Sequence, residues 1–244
     1  MKRHYRAILL VLASDTGPIY TFFKKLYESY MDVNPNIKVF FVYAGKVSFT
    51  PNDHDLIYPE VKESPIQPHS TTKVINAMEY IDNNYSYDFL IRTNLSTFWD
   101  FDSLLKRLDT LPTAFCLSGR LGGLPPPFVT GIGMIISQDI IPEIIKHKEL
   151  VNISWDKQYI PEDRLISEFF TNYLKVQIVP ANNAYFIENL TTPDINDIML
   201  AAITKAKILK RDHFRVKNLV DRISIDTAVM KILLKEFYNK TLSE

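Results

Sequence analysis

FLIRTNLSTFWDFDSLL, residues 89–105, starts as an apolar run and ends in an amphipathic helical pattern. Arg92, Thr93, Asn94, Leu95 and Ser96 bridge the two, so a strand end is followed closely by a helix start. Residues 87–92 read as a buried strand, and Asp100 as the N-cap of a helix through Leu108, because its carboxylate can accept from N–H groups left open in the first turn. A strand that feeds a helix through a short polar segment is the building unit of an α/β sheet.

The same unit recurs outward from this stretch. AILLVLA, residues 7–13, is a continuous apolar run, the pattern of a strand buried on both faces of a parallel sheet. Residues 15–18 turn the chain into YTFFKKLYESYM, whose apolar positions recur at helical spacing, and residues 37–43 form the next strand. This β-α-β opening implies parallel pairing. The Pro-punctuated stretch 44–69 has no sustained period and reads as a long loop. Helix resumes over residues 70–84, capped by Ser70 or Thr71. Two further strands are expected at 113–119 and 128–137, the second interrupted by Gly131 and Gly133, where a bulge or close backbone approach is expected. Helices follow at 140–150 and 161–174, short strands at 175–180 and 184–188, and an amphipathic helix at 224–238. The expected organisation is a single domain over 1–244 with two halves, 1–110 and 111–244, which the family resemblance set out below implies are a nucleotide-binding half and an acceptor-side half.

Composition narrows the function classes. The 244 residues are 46% hydrophobic, enough for a sizeable core. Lys plus Arg and Asp plus Glu each number 28, so no global field advertises nucleic acid or an anionic membrane. One cysteine, Cys116, excludes an internal disulfide and a thiolate zinc cage, which fits a reducing compartment. Basic residues before residues 7–13 imitate a signal peptide, but the helical pattern that follows favours a buried strand. No run reaches the roughly 18 apolar residues of a membrane span. A soluble, cytoplasmic protein is the expectation. Sequons at Asn94, Asn152, Asn189 and Asn239 carry no secretory inference.

Ligands of open α/β sheets bind beyond the carboxyl ends of the strands. That rule selects Ser14 and Asp15, Gly45 and Lys46, and residues 93–96. Each taken alone is also ordinary turn chemistry.

Residues 71–105 resemble the central segment of Fringe-like and β-1,3-galactosyltransferase enzymes, in which a Thr-Lys helix leads to a strand ending Lys-Thr-Asp-Asp-Asp, then a Phe and a helix-starting Asp. Thr72 and Lys73 match the first element, Thr93 the second, Phe98 and Asp102 the third. GIGMIISQDI, residues 131–140, resembles that family's Gly-Gly-x-Gly-Tyr-x-x-Ser segment, and PEDRLI its Glu-Asp-Val motif through Glu162 and Asp163. The resemblance implies a GT-A fold: a Rossmann-like α/β domain that binds a nucleotide-sugar, with a mixed central sheet flanked by helices. It also implies a glycosyltransferase whose partners are a nucleotide-sugar donor, carrying UDP or GDP, and a carbohydrate or other hydroxyl acceptor.

In that family two carboxylates hold a divalent metal that neutralises the departing diphosphate. Here Asn94 and Ser96 stand in their places. Neutral ligands make a far weaker site for Mn or Mg than carboxylates do, so metal dependence is left open. If the metal is weak or absent, other cations must serve. His213, Arg215 and Lys217 in RDHFRVKN recur every second residue and, in an extended segment, face one side. Arg and Lys suit phosphate as fork and point charge. The donor set is thus Ser14, Asp15, Arg92, Asn94, Ser96, His213, Arg215 and Lys217. Gly131, Gly133 and Glu162 fall on the acceptor side. Asp163 is the expected general base of an inverting transfer, although acids in a first helical turn are also favoured by the helix dipole alone.

Other features are less informative. GRLGGLPPP, residues 119–127, matches neither phosphate-loop spacing and reads as an exposed loop. The remaining histidines show no metal-ligand spacing. Trp99 and Trp155 are more often core residues than sugar platforms. The rival function is a catalytically inactive nucleotide- or glycan-binding module on the same fold; a nucleotidyltransferase would require acidic metal ligands.

Overall fold

A computed structural model describes residues 2–64, 67–123, 126–151, 160–190 and 195–242. In chain order the first half runs β1 (His4–Leu12), α1 (Pro18–Tyr30), β2 (Ile37–Ala44), β3 (Asp55–Tyr58), α2 (His69–Asn84), β4 (Ser86–Asn94), β5 (Thr97–Trp99) and α3 (Phe101–Leu108). There follow β6 (Leu117–Gly119), β7 (Leu121–Gly122), β8 (Phe128–Val129), β9 (Met134–Ser137), α4 (Ile141–Lys146), α5 (Lys148–Val151) and α6 (Glu162–Glu168). The chain ends with β10 (Ile178–Pro180), β11 (Ala184–Ile187), α7 (Ile195–Ile208), β12 (His213–Val216) and α8 (Thr227–Tyr238). The sequon Asn152 and Trp155 lie outside the described residues.

Two compact units are assembled from interleaved segments. The first comprises Met1–Ser14, Asn36–Asn94 and Leu111–Ala181; the second, Asp15–Pro35, Leu95–Thr110 and Asn182–Glu244.

The first unit is built on a seven-stranded mixed sheet in the order β10-β6-β9-β4-β1-β2-β3. β1 lies in its interior, parallel to β2 on one side and β4 on the other. The apolar run that resembled a signal peptide is therefore an interior strand, with Ile8, Leu9, Leu10 and Val11 wholly buried. Burial of each such side chain contributes roughly 1.5–3 kcal/mol. Mixed character enters at β9, antiparallel to both β4 and β6. Helices α2, α4 and α6 pack their apolar residues, among them Val74, Met78, Ile141, Ile144, Leu165 and Ile166, into one core with Ile8, Leu10 and Leu90 of the sheet.

The second unit carries a three-stranded sheet, β11-β12-β5, with β12 parallel to β11 and antiparallel to β5. Its aromatic core gathers Tyr27 and Tyr30 of α1, Phe98 of β5, Phe101 of α3 and Tyr238 of α8. The Tyr238 hydroxyl donates to the Trp99 carbonyl at 2.7 Å and accepts from Phe101 N–H at 3.0 Å. The C-terminal helix is thereby tied to the segment that follows Ser96.

Several local expectations change. The supposed loop 44–69 contains β3, whose four residues are too few to establish a period and which pairs with β2 at the sheet edge. α2 starts one residue before Ser70 and has no side-chain cap; the Thr71 hydroxyl instead bonds Gln67 Oε1 at 2.6 Å. Thr97–Trp99, to which the sequence pattern assigned no element, is a strand because β12 pairs with it. Residues 128–137 form two strands, β8 and β9, separated at the Gly131–Gly133 interruption.

Candidate functional site

In the first unit the site begins at the end of β4. Alternation along the strand puts Leu90, Arg92 and Asn94 on one face, and Leu90 joins the core while the polar pair stands nearer the strand end. Arg92 is only 4% exposed. Its guanidinium makes an ion pair with Glu162 of α6, donates to the Gly131 carbonyl, and donates to Asn94 Oδ1 at 3.0 Å. Asn94 Nδ2 donates to the same carbonyl at 3.2 Å. On the other side of that residue, Gly131 N–H donates to Asp163 Oδ2 at 2.6 Å. Gly131 is thus clamped at both ends of its backbone, and a Cβ there would run into the Arg92 guanidinium.

Burial pushes the Glu162 carboxyl above its usual value, while the Arg92 charge opposes that shift. The other Asp163 oxygen accepts from Arg164 N–H at 2.9 Å, and Asp163 remains partly exposed. Asn94, Gly131, Glu162 and Asp163, taken from three sequence motifs, therefore share one hydrogen-bonded cluster. Gly133 is buried on the same connection. At the carboxyl end of β1, Lys73 Nζ pairs with Glu63 at 3.1 Å and reaches the Ala13 carbonyl at 3.4 Å. Sequence reading used Lys73 only as a motif marker; its place beside a strand end was hidden because Glu63 lies in an irregular stretch. Ser14 is partly exposed.

In the second unit β12 sets the geometry. His213 lies opposite Trp99, Phe214 opposite Phe98 and Arg215 opposite Thr97. His213 and Arg215 share a strand face as expected, while Lys217 is exposed just past the strand end. The His213 ring is buried, packed at a tilt against Trp99 at 4.4 Å between centroids, and its Nδ1 donates to Asp212 Oδ1 at 2.5 Å. Its Nε2 is buried and has no hydrogen-bond partner among the described residues. Asp212 is held in turn by Asn183 Nδ2, 2.9 Å from each carboxylate oxygen. Sequence reading missed Asp212 and Asn183, although the acid directly before His213 was the available signal. Trp99 is fully buried, the core role expected of it. Arg215, half-buried, donates to the Ser96 hydroxyl. Asp15 is partly exposed at the start of a segment of this unit.

Asn94 and Ser96 each face a guanidinium group. The Asn94 amide oxygen accepts from Arg92, and the Ser96 hydroxyl from Arg215. A divalent cation about 5 Å from one guanidinium meets a repulsion of roughly 7 kcal/mol at an effective dielectric of about 20, before counter-charges are counted. Among the described residues no three His, Cys, Asp or Glu side chains form a group able to hold a metal ion. The donor set at these positions does not fit a divalent metal.

Solved structures with the same architecture include the galactosyltransferase LgtC, determined with donor and acceptor sugar analogues. Its TM-score is 0.50 at 11% identity, and the match covers 98% of this chain and 97% of LgtC. The chain has the GT-A glycosyltransferase fold. The glycosyltransferase GlyE of Streptococcus pneumoniae TIGR4 gives a TM-score of 0.51 at 9% identity, over 98% of this chain and 66% of that one. No protein-family model matches the chain, and no curated protein sequence does. In this GT-A fold no helix among the described residues is long and apolar enough to cross a membrane.

Proposed function

We propose that the protein is an inverting glycosyltransferase that moves a sugar from a UDP- or GDP-sugar to a hydroxyl of a glycan or other acceptor. The observation that carries this reading is the convergence of Asn94, Gly131, Glu162 and Asp163 on one hydrogen-bonded cluster in the first unit of a GT-A fold. A turn-forming Asn, a structural Gly and helix-start acids have no reason to converge if each serves only its own element. The motif resemblance to the Fringe and β-1,3-galactosyltransferase-like group points the same way.

In this reading Ser14, Asp15, Arg92, Asn94 and Ser96 shape donor recognition. Arg215 and Lys217 supply charge to the diphosphate, with His213 holding the strand that carries them against Trp99. Arg92 and Glu162 act by fixing the Gly131 backbone, with Gly133 and Glu162 on the acceptor side. The acceptor oxygen forms its bond to the anomeric carbon as the bond from that carbon to the β-phosphate oxygen breaks. The electron pair leaves with the nucleoside diphosphate, and the hydroxyl proton passes to Asp163.

Substituting Asp163→Asn keeps an acceptor oxygen for Gly131 N–H and removes the base. Transfer should fall by roughly 100-fold or more, with nucleotide affinity changed less than about threefold, as read by product formation and by calorimetric titration. Retained turnover would remove Asp163 from the chemistry. An inactive binding module would instead bind nucleotide without releasing sugar in either form.

A further inference from the structure

We infer that this protein handles the donor diphosphate with a guanidinium, Arg215, in place of a divalent metal, so that nucleoside diphosphate binding proceeds without one. The inference rests on the glycosyltransferase reading and deepens it. Three observations within the second unit carry it. The Ser96 hydroxyl, at a position where a carboxylate would hold metal, is occupied by the Arg215 guanidinium. The strand bearing Arg215 is fixed on both sides, by β11 and β5, and Val216 N–H donates to the Ser96 carbonyl at 2.9 Å, so the 96 and 215 positions are locked in register. Arg215 also lies close enough to the buried Tyr27 hydroxyl to counter, in part, the upward push that burial gives its ionisation.

Chemistry makes the exchange coherent. A carboxylate at 96 would add an acid beside Arg215, whose charge already acts on Asp226; the neutral hydroxyl orients the guanidinium without adding one. The guanidinium presents a fork of donors matched to phosphate oxygens and stays protonated at any working pH. At position 94 the Asn94 amide is turned to Arg92 and Gly131 within the first unit, and Glu162 balances the Arg92 charge. Both departures from the acidic pattern thus accompany an arginine, which random loss of carboxylates would not produce.

Thermal unfolding of the wild-type protein with UDP or GDP, each in manganese or in EDTA, tests this directly. One nucleotide should raise the midpoint equally in both, with dissociation constants within about twofold by calorimetry. Arg215→Ala should weaken diphosphate binding tenfold or more while leaving the unliganded midpoint within a few degrees, and Arg215→Lys should fall between. Ser96→Asp separates the alternatives even if Arg215 variants fold poorly. By charge cancellation it should weaken binding in EDTA; if position 96 were a metal ligand it would strengthen binding in manganese. A shift that appears only with manganese overturns the inference and leaves the transferase reading standing. No shift with either nucleotide in either condition overturns both.

Discussion

Gly131 shows how a single residue can organise a site. Its carbonyl takes Arg92 and Asn94, its N–H takes Asp163, and the space a side chain would need is filled by a guanidinium. Gly131→Ala should therefore displace Arg92 at a cost of about 1–3 kcal/mol, the usual penalty of overpacking a filled interior. The buried Arg92–Glu162 pair behaves differently. Removing one partner leaves an uncompensated charge, so Glu162→Ala should destabilise by roughly 3–5 kcal/mol, whereas the double change Arg92→Met with Glu162→Leu should restore much of that loss. Urea unfolding measures both; equal losses in the single and double variants would show that the pair is not the source. Glu162 also predicts a pH trend. Its folded value is raised above 4.5 by burial, so the stability it contributes is full below 4.5 and declines as pH rises through the folded value. Glu162→Gln should flatten the stability curve in that window. The sequence marked Asn94, Gly131, Glu162 and Asp163 one at a time as motif residues. It placed Arg92 in the donor set but did not reveal its pairing with Glu162, because that acid comes from another helix whose position the sequence does not fix.

At the scale of elements, legibility followed local signal strength. β1, β2, β4, α1 and α8 carry sustained apolar patterns and were plain in the sequence. So was the cap of α3, where Asp100 accepts from Ser103 N–H at 3.3 Å and from its hydroxyl at 2.5 Å. Asp100→Ala should cost about 1 kcal/mol. The short strands β3 and β5 were not legible, because pairing with β2 and β12 decides them rather than their own four and three residues. β12 was foreseen as extended, and with it the shared face of His213 and Arg215. Yet alternation alone could not distinguish the buried His213 from the exposed Lys217. That difference comes from Trp99 and Asp212, which close over the histidine.

For the whole molecule, an α/β sheet with mixed pairing was readable from the order of strands and helices, but the interleaving of the two compact units was not. Segments 15–35, 95–110 and 182–244 assemble into one unit through an aromatic core whose members are spread across the chain, and nothing local announces that Tyr30, Phe98 and Tyr238 meet. The boundary falls between Asn94 and Leu95, so Asn94 and Ser96 belong to different units. The function proposed at this scale, transfer of a sugar from a nucleotide-sugar, is best tested on the intact chain. The most direct measurement is release of nucleoside diphosphate from a panel of UDP- and GDP-sugars, with and without simple sugar acceptors, in EDTA. Release from donors of one base, accelerated by an acceptor and lost in Asp163→Asn, is the expected result; a folded protein that releases nothing from any donor, with EDTA or with manganese, would contradict the assignment of glycosyl transfer.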